Sequence, residues 1–186
     1  MIDLRNKDLP NAIQADGKSF LIQTDFRFWL NFGANLDKNN PEKIFAVIPD
    51  LFIADLPEPG EEVLNKLLEF YACKEVTPKE INVGNDEKLL LDMIQDGSYI
   101  YASFLQCYGI DLVDIEYLHW HKFITLFKCL SEDCIIKKII SYRGYTKSEK
   151  SEESIRRELR EMWTLPHKGQ QDDSMLQELN ELFYNS

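Results

Sequence analysis

His119, Trp120 and His121 are the residues of this chain whose types first suggest chemistry, because two imidazoles one residue apart invite a metal ion or a proton relay. On a helix, residues two apart point about 200° from each other, so these rings could not readily share one ion. His119 is then expected near Leu126 and Leu130 at the edge of an apolar face, and His121 beside Lys128 on the polar side. Both read as structural or interface residues. Cys73, Cys107, Cys129 and Cys134 have no CxxC spacing, and no pair of ligands near Cys129 and Cys134 completes a zinc set. They are expected to be free, mostly buried thiols of a cytosolic protein. No GxSxG, P-loop, GxGxxG or HExxH pattern is present. The adjacent acids Glu61-Glu62 and Glu152-Glu153 fall at helix starts, where the helix dipole accounts for them. Arg143 ends an apolar helix, where it satisfies terminal carbonyls or pairs with a partner's acid. Trp29, Trp120 and Trp163 read as core or interface anchors. The expectation is a protein without enzymatic activity, cofactor or metal.

The elements that position these residues are mainly helices. From Gly109 to Tyr145 the chain is densely apolar. At about 100° per residue, Tyr117, Trp120, Phe123, Ile124, Phe127 and Leu130 share a face, widened by Ile115 and Leu126. Asp111 or Asp114 is expected to cap that helix. Ser131 is expected to open a second helix carrying Ile135, Ile136, Ile139 and Ile140, stopped by a left-handed Gly144. Upstream, Asp16-Gly17 between short apolar runs predicts a two-residue hairpin over Ala12 to Ile22. Thr24 is expected to cap a helix from Asp25 with Phe26, Trp29, Leu30 and Phe32 on it. Pro41 is expected to start the next helix, which Pro49 kinks or shortens. Val63, Leu64, Leu67, Leu68 and Tyr71 draw another. A long helix is expected from Asn85 or Asp86 to Tyr108, about six turns, with Gly97 inside it at a kink or close crossing.

Beyond Tyr145 the composition turns polar. Leu159, Met162 and Trp163 form a narrow stripe closed by Pro166, and Met175, Leu176, Leu179, Leu182 and Phe183 form another. The predicted fold class is mainly α: a multi-helix bundle with a small N-terminal β-hairpin and a C-terminal helical hairpin. Residues 1–146 are expected as the core domain and 147–186 as the appendage. Leu159, Met162, Trp163, Leu176, Leu179, Leu182 and Phe183 are the candidate partner-binding residues.

The chain has 186 residues and a net charge of -11, distributed as -3 over residues 1–60, -7 over 61–115, +2 over 116–146 and -3 over 147–186. No segment carries the cluster of Lys and Arg that phosphate binding needs, so nucleic acid is not an expected partner. No stretch approaches the ~20 apolar residues of a membrane span, and the start of the sequence has no apolar run of signal-peptide length. The expected location is the cytoplasm.

The runs Tyr108-Gly109-Ile110-Asp111-Leu112, Leu118-His119-Trp120-His121-Lys122-Phe123, Leu130-Ser131-Glu132-Asp133 and Ile139-Ile140-Ser141-Tyr142-Arg143, with the hairpin and Thr24-Asp25-Phe26-Arg27, resemble the bacteriophage gene-product-fifteen family of Gram-positive phages and prophages. The resemblance covers most of residues 10 to 165 and makes Trp120, His121, Phe123 and Arg143 motif or core residues. Many members have an aromatic where this chain has His121, which argues against chemistry there. What the resemblance implies is a tail-morphogenesis protein encoded near the tape-measure gene, a tail assembly chaperone that binds the tape-measure protein in the bacterial host cytoplasm. No catalytic residues come with it. An acidic, self-associating helical protein with apolar stripes suits that task. A structural subunit retained in the tail is the second expectation, and a small hydrolase or metal-dependent enzyme using His119 or His121 the third.

Overall fold

The computed structural model describes residues 2–36, 40–58, 60–73, 90–144 and 153–164. The chain folds as two compact units, Met1–Glu80 with Glu116–Leu126, and Ile81–Ile115 with Phe127–Ser186. Mainly α-helical structure with one N-terminal hairpin is what the sequence predicts and what is observed.

In the first unit, β1 (Ala12–Ala15) pairs antiparallel with β2 (Lys18–Leu21), placing Ala12 opposite Leu21 and Ile13 opposite Phe20. Asp16 and Gly17 turn the chain with φ of 50° and 71°, as the two-residue hairpin requires. The alternation of the strands buries Ile13, Ala15 and Phe20, and Ile22 continues onto a bridge with Phe52. A hairpin alone is marginal in water; here β1 lies against α3.

Asp25, not Thr24, is the N-cap of α1 (Phe26–Ala34), and its carboxylate accepts the Arg27 amide. Thr24 instead shares a 2.7 Å hydroxyl hydrogen bond with Tyr117. Phe26, Trp29 and Phe32 are the buried face of α1. α2 (Pro41–Val47) begins at its proline and ends where Pro49, which has no N–H to donate, forces a short 3-10 turn over Pro49–Leu51. α3 (Glu61–Tyr71) has Glu61 and Glu62 in its first turn and buries Val63, Leu67, Phe70 and Tyr71. α5 (Trp120–Lys128) starts in this unit, and its last two residues are counted in the second.

The second unit holds α4 (Gly97–Tyr108), α6 (Ile135–Arg143) and α7 (Glu153–Trp163). α4 packs on α6, and α6 on α7. The long helix expected to reach Tyr108 begins only at Gly97. The Asp92 carboxylate accepts the amides of Ile94 and Gln95, folding residues 92–96 into a turn instead. Gly97 is therefore the first residue of α4, with open space around it and no close crossing. Gly109, at φ 66°, is the left-handed residue that stops a helix. Gly144 is right-handed, at φ -76°.

Two further expectations change. No helix runs through Asp111–Tyr117: Asp111 accepts the amides of Val113 and Asp114 in a turn, takes the Tyr101 hydroxyl, and leaves Tyr117 about half exposed. Ser131 caps only a turn, accepting the Asp133 amide through its hydroxyl, and Cys134 is the N-cap of α6. The Ile136 amide at the start of α6 is met by the buried hydroxyl of Ser103 on α4, at 3.5 Å. The sulfurs of Cys107 and Cys134 lie in contact; Cys73 and Cys134 are buried, while Cys129 is exposed, which corrects the expectation of burial there.

Gly33 of α1 faces Tyr71 so closely that a Cβ there would fall on the phenol hydroxyl and 2.9 Å from Cζ. Gly33→Ala is expected to lower the unfolding free energy by about 1–3 kcal/mol despite better helix propensity. Gly97→Ala, in open space, should raise it by about 0.4–1 kcal/mol. Urea denaturation of both variants checks the pair; equal effects would contradict the packing assigned to Gly33.

Candidate functional site

The residues around His119 meet because two short extended segments far apart in sequence pair with each other. Phe26 N–H donates to the Leu118 carbonyl at 2.9 Å, and Trp120 N–H donates to the Thr24 carbonyl at 2.7 Å. The second carboxylate oxygen of Asp25 accepts the Leu118 amide at 3.1 Å. Asp25 thus holds the start of α1 with one oxygen and the segment before α5 with the other. His119 lies in this extended bridge, outside the helix, which overturns the helical-wheel placement of both histidines. The imidazoles are neighbours, with centroids 5.1 Å apart, and His121 is buried, not on a polar face.

Proximity does not make them a metal site. The His119 Nε2–H donates to the Pro10 carbonyl at 2.9 Å, while His119 Nδ1 accepts the His121 backbone amide at 3.0 Å. His121 Nε2–H donates to the Phe70 carbonyl at 2.9 Å, and the Trp120 indole N–H donates to the Tyr71 carbonyl at 2.8 Å. A carbonyl oxygen can only accept, so these assignments fix Nε2 as the protonated nitrogen of both rings. Phe70 and Tyr71 are the last two residues of α3, whose terminal carbonyls have no partner within the helix. The Phe70 carbonyl takes the Cys73 amide at 3.0 Å as well as the His121 ring, and the Tyr71 carbonyl takes the Trp120 indole. Among the described residues, no group of three or more His, Cys, Asp or Glu is placed to hold a metal ion.

Aromatic rings pack around these bonds. Tyr71 stacks on Trp120 at 5.0 Å, Trp120 on Phe123 at 5.7 Å, and Phe123 on Phe26 at 4.9 Å, while Trp29 tilts against Phe70 at 4.4 Å. Burial pushes the Tyr71 phenol far above its ordinary range. Burial also lowers the His119 pKa, a shift opposed by its bond to Pro10 and reinforced by Lys122.

The second cluster is built on Arg143, buried at the end of α6. Its guanidinium forms a two-pronged ion pair with Asp96, at 2.6 and 2.8 Å, with only 6% and 2% of the two side chains exposed. Nη1 also donates to the Leu90 carbonyl at 3.0 Å, and Nε donates to the Trp163 carbonyl at 2.6 Å. Arg143 therefore satisfies carbonyls, as expected of an arginine at a helix end, but they belong to other segments, and its acid is in this chain. Loss of one member of such a pair leaves a buried charge and costs about 3–5 kcal/mol. Leu159 and Trp163 are half-buried, and Met162 is 71% exposed. Leu176, Leu179, Leu182 and Phe183 lie outside the described residues.

Pro10, Phe70, Tyr71, Leu90 and Asp96 were not expected as hydrogen-bond partners, Tyr71 being read only as part of an apolar helix face. Four of them act through backbone carbonyls, which carry no residue signature. Asp96 gives no periodic cue to an arginine 47 positions away.

What these residues define is a helical protein whose unusual polar side chains are engaged with its own backbone. The family model described as Bacteriophage Gp15 protein matches residues 6–165, and the chain belongs to that family. It is a phage-related protein. No curated protein and no solved structure matches it. Among the described residues no helix is long and apolar enough to cross a membrane.

The His119 shift has a definite sign. Its folded-state pKa lies below the ordinary 6.5, so protonation favours the unfolded chain. Its contribution is intact above that value and is lost as pH falls toward the folded-state pKa. The urea midpoint should drop between pH 7.5 and 5.5, and His119→Asn should flatten that drop. An unchanged slope in the variant would contradict the neutral, carbonyl-bound ring.

Proposed function

We propose that this protein acts in phage tail morphogenesis without catalysing a reaction, as an assembly chaperone that binds the tape-measure protein in the cytoplasm of a Gram-positive host. The observation that carries the reading is the family match over residues 6–165. Three physical features support it. The side chains best suited to chemistry, His119, His121 and Arg143, are tied to backbone carbonyls or a buried acid. The net charge of -11 keeps a chaperone and its apolar client apart from other copies by mutual repulsion. Large apolar side chains, including Phe45, Ile53, Leu56 and Met162, are exposed enough to meet a client helix.

Co-expression with the tape-measure protein of the same phage or prophage is expected to yield a soluble complex. Deletion of the gene should leave particles without tails, and mass spectrometry of purified virions should not find the protein. Its presence in virions at stoichiometric amounts would replace the chaperone by a structural tail subunit. Normal tails after deletion would remove both.

A further inference from the structure

Two sulfurs of the second unit meet because the helix ends that carry them are packed together. On α4, Ile100, Ser103 and Phe104 are buried, and Cys107 continues that stripe at helical spacing. Ser103 and Cys107 are four residues apart, so they stand one turn from each other on the side of α4 that packs on α6. The Ser103 hydroxyl accepts the Ile136 amide, and the Cys107 sulfur touches that of Cys134, the N-cap of α6. The contact follows from the seating of one helix end on another.

Cys73 shows what a thiol kept for packing does in this chain: buried, it donates to the Tyr71 carbonyl at 3.6 Å. Cys134 is as deeply buried, yet it faces a second sulfur. Cys107 is half-buried, so the pair has one accessible member and one sheltered member. An accessible thiol beside a second that can resolve it is the arrangement of redox-sensing cysteines. The two also bracket the place where the chain leaves the second unit. Residues 116–126 belong to the first unit, and the chain is back in the second from Phe127. A bond between the sulfurs closes a loop around that excursion, with a sequence separation of 27. The Cα atoms stand 7.6 Å apart, beyond the ~6.8 Å that disulfides usually span, so bond formation draws the two helix ends together.

We propose that Cys107 and Cys134 are a reversible dithiol–disulfide couple that acts as a redox-sensitive latch. Oxidised, it fixes the end of α4 to the start of α6 and closes the loop 108–133. The oxidant is a small disulfide of the glutathione class. The Cys107 thiolate attacks one of its sulfurs, forming a mixed disulfide and expelling one small thiolate. The Cys134 thiolate then attacks the Cys107 sulfur, and the second small thiolate leaves. Two cysteine thiols and one small disulfide become one protein disulfide and two small thiols. Two electrons pass to the oxidant, and the two cysteine protons end on the departing thiols. A dithiol reductant reverses both steps. Under reducing conditions such as those of a cytosol, where disulfides are transient, the couple rests open. The latch needs no partner, so it stands or falls apart from the assembly reading.

The test uses the full chain with Cys129→Ser, which removes the exposed thiol and its intermolecular bonds. Of the four cysteines, Cys73, Cys107 and Cys134 then remain. Reduced protein is equilibrated with oxidised glutathione, denatured in maleimide and weighed by intact-mass spectrometry. All three thiols should be labelled before oxidation and Cys73 alone after it, with a cross-linked peptide joining Cys107 to Cys134. Dithiothreitol added to the folded protein should restore all three. The oxidised form should show a higher urea midpoint and slower amide hydrogen exchange across 108–133. Cys107→Ser should abolish these changes, with far-UV circular dichroism establishing that it is folded; should it unfold, Cys107→Ala replaces it. Three free thiols after oxidation, a glutathione adduct that persists on Cys107, a bond that still forms in Cys107→Ser, or a bond that dithiothreitol cannot open in the folded protein overturns the proposal. So does a closed bond that leaves the urea midpoint and the exchange of 108–133 where they were.

Discussion

The first unit depends on a backbone bridge three residues wide. Residues 24–26 and 118–120 exchange two short hydrogen bonds, and Asp25 adds a third from its side chain. Closing a loop of more than ninety residues is entropically unfavourable, though the cost grows only slowly with loop length. The bridge therefore needs apolar burial beside it, and the stack of Tyr71, Trp120, Phe123 and Phe26 supplies that. Once the bridge forms, three ring N–H groups fall opposite three carbonyls, at Pro10, Phe70 and Tyr71. The wording His-Trp-His is explained by this geometry: ring donors that tie the start of α5 to the backbone at Pro10 and at the end of α3.

The second unit meets the same difficulty with a charge. One guanidinium takes a carboxylate and two carbonyls from separate segments, and every partner is close. A buried ion pair is weak evidence for stability in itself, because desolvating two ions offsets most of their attraction. Its specificity is the more useful property. Arg143 accepts one arrangement of Asp96, Leu90 and Trp163, so it defines where α7 ends as well as where α4 begins.

The helix-rich class, the Asp16-Gly17 hairpin, the proline stop at Pro49 and the amphipathic α3 were legible because each depends on local signals: turn chemistry, a missing amide, an apolar period. The helix at Trp120 was placed too early and the one ending at Tyr108 too long for the opposite reason. Tyr117 fits a helical period, yet residues 118–120 are drawn out by partners at 24–26 that no local window contains. Asp92 likewise uses its side chain to fold a turn where the apolar spacing of Leu90, Met93 and Ile94 suggests helix. Burial of His121 was missed because a wheel counts it polar, while in place it donates to Phe70 and packs on that ring at 4.4 Å. Family resemblance identified the motif; only the tertiary structure gives each residue its task.

That the histidines are scaffold and not reaction centre is the claim on which the non-enzymatic proposal leans. Long-range proton–nitrogen NMR of the imidazoles at neutral pH tests it most directly. The structure requires a slowly exchanging Nε2–H on both His119 and His121, and a bare Nδ1 on His119 accepting from the His121 amide. Rings whose N–H protons exchange freely with water, or a His119 protonated at Nδ1, would contradict it.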